Sequence, residues 1–269
     1  MIKNIDGNNY IKATNKKKIL GIEILRFILC FMVVFDHLYE GNQYIYILYY
    51  HIPTFFNISF FFTYNTLISY NIKKINLRLE RLFIPYFIWC TISWLIYNIY
   101  FYILKVECLH SFKYYIINLI DGHHFNFVLW YQNILILLTL LFLIIIIIFK
   151  NHYLICLLSC GIIAYILQYS GINYNFFKEN FYSSTAATFG RFAEALPNAF
   201  TGFLLAKINK KINLKKYYKK TIFISIIILY IITKYHKFDR VQSFKYGGIR
   251  LNIAAICIFI IFFHYLLII

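Results

Sequence analysis

Apolar stretches of about the length needed to cross a lipid bilayer constrain this chain more than any other feature of its sequence. A membrane-spanning helix needs about 20 mostly apolar residues. The sequence therefore predicts an all-α, polytopic transmembrane helical bundle with about eight membrane-spanning helices in a single domain, 19–269, after a short segment, 1–18. The predicted spans are Ile19–Leu38, Ile47–Ser69, Leu82–Leu104, Phe127–Phe149, Tyr153–Ser170, Phe189–Ala206, Thr221–Thr233 and Ile249–Ile269.

The composition excludes several classes of protein. The chain is 61% hydrophobic and only 14% charged, whereas a globular domain is about half apolar and about a quarter charged. A soluble enzyme, a disordered chain and a DNA-binding domain are therefore excluded. The net charge of +17 does not indicate a nucleic-acid partner, because the basic residues lie in clumps between apolar runs and not on one solvated face.

Those clumps of Lys and Arg predict the orientation of the chain. They concentrate before the first span and in the connections after the second, fourth and sixth spans. Positively charged connections stay in the cytoplasm, so we expect a multi-pass protein of the inner (plasma) membrane with segment 1–18 in the cytoplasm. The connection between the seventh and eighth spans is also basic, which leaves the topology near the C-terminus open.

The first span contains four charged or titratable residues, Glu23, Arg26, Asp36 and His37. Such residues at membrane depth are costly and mark candidate functional sites. Arg26 and His37 are eleven residues apart, which places them on one helix face and about 16 Å apart along the axis. A simpler interpretation is an interfacial ion pair between Glu23 and Arg26, with His37 among the outer headgroups.

A second basic group lies where the third span begins. Arg78 and Arg81 are spaced i, i+3 on a predicted helix. Their planar guanidinium groups suit phosphate, so they form a candidate edge for a nucleotide-like ligand. Ordinary anchoring of a cytoplasmic connection is the alternative.

Other groups carry weaker signals. We expect Arg191 and Glu194, also spaced i, i+3, to form a structural pair. His110, His123 and His124 share one outer connection, but their spacing demands no metal, and we expect none. Cys156 and Cys160 share a helix face that has no further metal ligand.

Several segments together resemble the acyltransferase 3 family, integral membrane enzymes that transfer acetyl or other acyl groups, commonly to envelope carbohydrates. The first span, with Arg26 and His37, resembles the opening helix of that family. Four later segments agree in order: HIPTFFNISFFFTYNTL (51–67), RLERLFIPYFIW (78–89), VLWYQNILILLTLLF (128–142) and the Phe-Gly-type helix ending at 200–205.

The resemblance implies a role for each matching residue. His37 is expected to be catalytic, as a general base on the acceptor hydroxyl or as a relay for the acyl group. Arg26 is expected to orient the donor or to stabilise developing negative charge. Arg78 and Arg81 are expected to hold the phosphates of acyl-CoA, such as acetyl-CoA. Glu23 and Asp36 have supporting roles. The implied partners are the lipid bilayer and a carbohydrate acceptor.

The chain also departs from the family pattern. The family has about ten spans, so a chain that ends inside its eighth apolar segment is expected to be C-terminally truncated. Phe60 follows Ser59 where the family favours Gly. Two further hypotheses remain open, a transporter or flippase for a lipid-linked sugar and an inactive truncated homologue.

Overall fold

A computed structural model describes residues 20–38, 50–105, 111–121, 129–169, 183–212, 214–234 and 249–265. Within these ranges the chain forms α-helices and no strands, which confirms the predicted all-α class there. The predicted cytoplasmic segment 1–18 lies outside the described residues. The helices are α1 (Leu20–Leu38), α2 (His51–Ile68), α3 (Ile72–Ile103), α4 (Phe112–Asp121), α5 (Trp130–Phe149), α6 (Tyr153–Tyr169), α7 (Ser183–Ile212), α8 (Tyr218–Lys234) and α9 (Ile249–Tyr265).

Each predicted span overlaps one of these helices. The short α4 lies outside all of the predicted spans. The largest difference concerns α3, which begins at Ile72, well before the predicted start at Leu82. Its start is fixed by Asn71, whose side chain accepts a hydrogen bond from the Lys74 backbone N–H at 3.0 Å. Such a side-chain cap satisfies a donor that the first helical turn leaves open. The basic segment that precedes the third span is therefore part of a continuous helix.

Two helical stretches of the described chain are long and apolar enough to cross a membrane. One is α3. The other is the run 130–167, which contains α5, the short 3-10 turn Lys150–His152 and nearly all of α6. Much of the exposed surface of α3 consists of large apolar side chains, as expected for a helix that faces lipid. These two stretches support the predicted membrane location, while the total of about eight spans stays a prediction.

The second helix forms the centre of the bundle, because most of its residues are buried on every side. It packs against α1, α5, α7 and α9. Phe60 contacts Phe142 of α5 with ring centroids 4.6 Å apart, and Phe61 contacts Phe259 of α9 at 5.0 Å. These tilted aromatic contacts fill the core. Phe60, which replaces the glycine favoured by the family, is therefore a core side chain.

Helices α2 and α7 approach each other closely at Gly202. A Cβ atom added to Gly202 would lie 2.7 Å from the Asn57 Cα atom, so only glycine fits there. One residue earlier, the Thr201 hydroxyl donates to Asn57 Oδ1 at 2.6 Å. Small residues allow membrane helices to approach closely, and polar side chains link them. This contact fixes the positions of α2 and α7 on which the site below depends.

Candidate functional site

Arg26 lies on the side of α1 that meets α2. Its Nη1 atom forms a 2.9 Å ion pair with Glu23 Oε1, and the two side chains are 40% and 48% exposed. Its guanidinium group also lies over the Phe62 ring of α2, 5.4 Å from the ring centroid. The predicted ion pair is thus present, but the same arginine also makes a cation–π contact with the central helix.

Arg78 and Arg81 point in different directions. Arg78 is half-buried and donates a hydrogen bond from Nη2 to the Ser59 hydroxyl of α2 at 2.9 Å. Its Nε atom has no hydrogen-bond partner among the described residues. Arg81, by contrast, is exposed. The structure therefore brings Arg78 into the bundle and leaves Arg81 on the surface, so the two side chains do not form one continuous edge.

Tyr131, near the start of α5, lies within electrostatic range of both Arg26 and Arg78. Its ring packs against Phe56 and Phe55 of α2, with centroid distances of 4.7 and 5.8 Å. Its hydroxyl lies in electrostatic range of the Arg78 and Arg26 guanidinium groups. We call Arg26, Ser59, Arg78 and Tyr131 the arginine cluster. It gathers two positive charges and two hydroxyl groups where α1, α2, α3 and α5 meet.

One contact places α1 against α2. The Arg26 guanidinium group lies over the ring of Phe62, in the C-terminal half of α2. Consecutive helices that span a membrane cross it in opposite directions, so we expect α1 and α2 to be antiparallel.

The length of α1 sets the separation of Arg26 and His37 along the bundle. The helix rises about 1.5 Å per residue, so the backbone of His37 lies about 16 Å beyond Arg26, which in an antiparallel pair is level with the first turn of α2. The buried residue His51 starts that turn. The side chains of Asp36 and His37 lie outside the described residues. The backbone of α1 thus carries the predicted arginine and histidine to two different levels of the bundle.

The sequence interpretation did not single out Ser59 or Tyr131 as functional residues. Both fall in segments that resemble the family, but hydroxyl side chains are common in membrane helices and carry no signal by themselves. Only the packing of α2, α3 and α5 brings Ser59 to Arg78 and packs the Tyr131 ring on α2.

No metal site forms in the part of the chain that the structure describes. No group of three His, Cys, Asp or Glu side chains is placed there to hold an ion. His110, His123 and His124 lie outside the described residues.

Comparison with known families supports the resemblance seen in the segments. The family model for the acyltransferase domain of acyltransferase 3 proteins matches residues 19–269. No curated protein and no solved structure matches the chain. The matched range contains every described helix and the whole arginine cluster. The chain therefore belongs to the acyltransferase 3 family of membrane acyltransferases.

Proposed function

We propose that this protein transfers an acyl group, with acetyl as the simplest case, from acyl-CoA in the cytoplasm to a hydroxyl group of an envelope carbohydrate. Family membership supports the acyl transfer. The observation that carries the proposal is the inward position of Arg78, which donates to Ser59 and keeps its Nε without a partner among the described residues.

The arginine cluster is suited to an anionic donor. Charged side chains in membrane helices are costly and persist where they serve a ligand or a pathway. A guanidinium group has five N–H donors, and Arg78 uses one of them on Ser59. Because its Nε has no partner among the described residues, donors remain for a phosphate or a thioester oxygen. Guanidinium groups bind phosphate in a planar, two-point geometry.

Because Arg78 is half-buried and Arg81 is exposed, we propose that they bind different parts of acyl-CoA. In our proposal Arg81, on the surface of α3, holds a phosphate of the nucleotide portion of acyl-CoA. Arg78, on the inner face, holds the part of the donor that enters the bundle. Arg26 then orients the donor in the cytoplasmic half of the bundle, since a fixed positive charge positions an anionic ligand.

His37 is the proposed general base. The oxygen of the acceptor hydroxyl attacks the thioester carbonyl carbon, the carbon–sulfur bond breaks, and an ester forms. The imidazole takes the hydroxyl proton and returns it to the departing CoA thiolate, so that CoA leaves as the thiol. Histidine suits this exchange because it gains and loses a proton near neutral pH. Glu23 and Asp36 support the two groups.

The orientation predicted from the Lys and Arg distribution fits this direction of transfer. With segment 1–18 in the cytoplasm of a plasma-membrane protein, Arg26 lies in the cytoplasmic half and the backbone of His37 lies towards the outside. The donor is then bound from within and the acceptor from the opposite side of the membrane.

Consumption of acyl-CoA tests this function and separates it from sugar transport. Inside-out membrane vesicles that contain the chain are supplied with acetyl-CoA labelled in the acetyl group, and matched vesicles without the chain serve as the control. We expect chain-dependent release of CoA and label in a base-labile ester of the glycan fraction. Equal CoA release in both vesicle preparations would show that the chain does not transfer acyl groups.

A further inference from the structure

An open cavity of about 440 Å³ lies between the ends of α2 and α5 and the start of α6. The residues that line it are Ile68, Tyr70, Ile147, Lys150, Asn151 and Tyr153. Its volume is within the range of about 300–1,000 Å³ that is typical of ligand sites. None of these residues belongs to the arginine cluster, so the proposed acyl transfer does not use the cavity.

The cavity lies at the end of the bundle that the sequence predicts to face the cytoplasm. Tyr70 belongs to the connection after the second predicted span, and Lys150 belongs to the connection after the fourth. Both connections are basic, and basic connections stay in the cytoplasm. We therefore expect the cavity at the level of the phospholipid headgroups of the cytoplasmic leaflet.

Contacts between the connection after α2 and the end of α5 hold the cavity wall. The Tyr70 hydroxyl donates to the Ile146 backbone carbonyl oxygen at 3.1 Å, and the Lys150 backbone N–H donates to the same oxygen. Tyr70 and Lys150 have φ angles of 49° and 37°. Residues other than glycine keep such angles only where the surrounding structure holds them. These contacts thus fix two residues at the wall of the cavity.

The polar groups of the cavity suit an anion. Lys150 lines it, and no acidic side chain is among its described walls. Lys207 of α7 brings a second positive charge, since its Nζ atom lies 5.7 Å from the centroid of the Tyr153 ring. The two ammonium groups and the Asn151 side-chain amide can donate hydrogen bonds to phosphate oxygens.

An exposed apolar stripe leads away from the cavity along α5. Ile147, which lines the cavity, is half exposed, and Leu140, Ile144 and Ile148 are exposed as well. Residues spaced three or four apart share one helix face, so the stripe covers about 12 Å of the helix. A phospholipid matches this arrangement, because its acyl chains continue from the phosphate along the membrane-facing surface. A free phosphate would leave the stripe uncovered.

We infer that this cavity binds the phosphate headgroup of an anionic phospholipid, with its acyl chains on the apolar stripe of α5. Basic pockets between membrane helices on the cytoplasmic side are suited to such headgroups. A zwitterionic choline headgroup fits less well, because the two lysines repel its positive charge. The inference goes beyond the proposed acyl transfer and does not depend on it.

Lipid retention by the purified chain tests the inference. The full-length chain in a neutral detergent is titrated with phosphatidylglycerol or phosphatidylcholine, and native mass spectrometry counts the lipids retained. We expect the parent chain to bind phosphatidylglycerol more tightly than phosphatidylcholine. The double variant Lys150→Gln with Lys207→Gln should lose affinity for phosphatidylglycerol by about tenfold or more, because each lysine near a headgroup adds to the attraction.

A second double variant, Lys210→Gln with Lys219→Gln, is the matched control. It removes the same charge, and Lys219 also lies over a tyrosine ring, that of Tyr218, at 5.9 Å. Neither lysine lines the cavity. The control should bind phosphatidylglycerol within about twofold of the parent, because exposed charges away from the ligand are screened. Equal losses in the two double variants, or equal retention of the two lipids by the parent, would overturn the inference.

Competition distinguishes a lipid from a soluble phosphate compound. Inorganic phosphate and CoA are added separately to the parent chain that has bound phosphatidylglycerol. We expect neither to displace the lipid at equal concentration, because neither covers the apolar stripe. Displacement by either compound would assign the cavity to soluble phosphates and overturn its assignment to a phospholipid.

Discussion

Arg78 of α3 donates a hydrogen bond from its Nη2 atom to the Ser59 hydroxyl of α2, at 2.9 Å. This bond joins two helices that follow one another in the chain and holds the guanidinium group inside the bundle. Because Ser59 occupies only part of its donor capacity, the same arginine can contact an anionic ligand. The predictions below test what that position implies.

The first prediction separates Arg78 from Arg81. Arg78→Gln should weaken acyl-CoA binding at least tenfold, because a charge-assisted contact to phosphate contributes about 1.5–3 kcal/mol. Arg81→Gln should have a smaller effect, since an exposed charge is screened by solvent. Equilibrium binding of acyl-CoA to the purified variants measures both. Unchanged affinity in Arg78→Gln would mean that this arginine links α3 to α2 and does not bind acyl-CoA.

The second prediction concerns the Tyr131 hydroxyl. Tyr131→Phe keeps the ring that packs on Phe56 and removes the oxygen near the two arginines. We expect kcat/KM for acyl transfer to fall about tenfold, because one polar group near the two charges is lost, and thermal stability to change little, because the ring packing is kept. Tyr115→Phe, whose hydroxyl contacts Thr91 at 2.8 Å, is the matched control. An equal loss in both variants would contradict a role specific to Tyr131.

The third prediction distinguishes a simple ion pair from a functional arginine. Glu23 and Arg26 are both substantially exposed, and such pairs contribute about 0–1 kcal/mol. Glu23→Gln should therefore leave activity within about twofold. Arg26→Gln should lower kcat/KM about a hundredfold, because it removes a charge that orients the donor for reaction. Steady-state kinetics of acyl transfer by the two variants test this prediction. A similar small loss of activity in both variants would favour the simple ion pair.

The fourth prediction tests the contact between α2 and α7. In Gly202→Ala the new methyl group meets the backbone of Asn57, so the helices must separate at a cost of about 1–3 kcal/mol. The melting temperature in detergent should fall by roughly 4–8 °C for a change near 2 kcal/mol. Gly161→Ala is the control, because nothing lies within 4 Å of the added Cβ. Equal melting temperatures for the two variants would mean that α2 and α7 are further apart than described.

The helices could be predicted from the sequence because each depends on a local signal. A long apolar run is enough to indicate a membrane helix, and all the predicted spans coincide with described helices. The early start of α3 also has a local cause in the Asn71 cap. The prediction from apolar content begins only at Leu82, because charged residues interrupt the apolar pattern between Asn71 and that position.

The site depended on contacts between helices and was only partly predictable. The spacing of Arg78 and Arg81 suggested one shared edge, but the packing of α3 on α2 turns Arg78 inward and leaves Arg81 exposed. Residues that meet across distant helices, such as Trp130 and Arg191, have no spacing that reveals their contact. Their positions follow from the way α2, α5 and α7 pack together.

The central claim is that His37 transfers the proton in a reaction that moves an acyl group from CoA to a glycan. Its most direct test compares the parent chain with His37→Ala and with Asp36→Ala in inside-out vesicles supplied with acetyl-labelled CoA. The label in base-labile glycan ester is counted after equal expression has been verified. We predict a loss of at least about a hundredfold in His37→Ala and a smaller loss in Asp36→Ala. Equal labelling by His37→Ala and the parent chain would contradict the account.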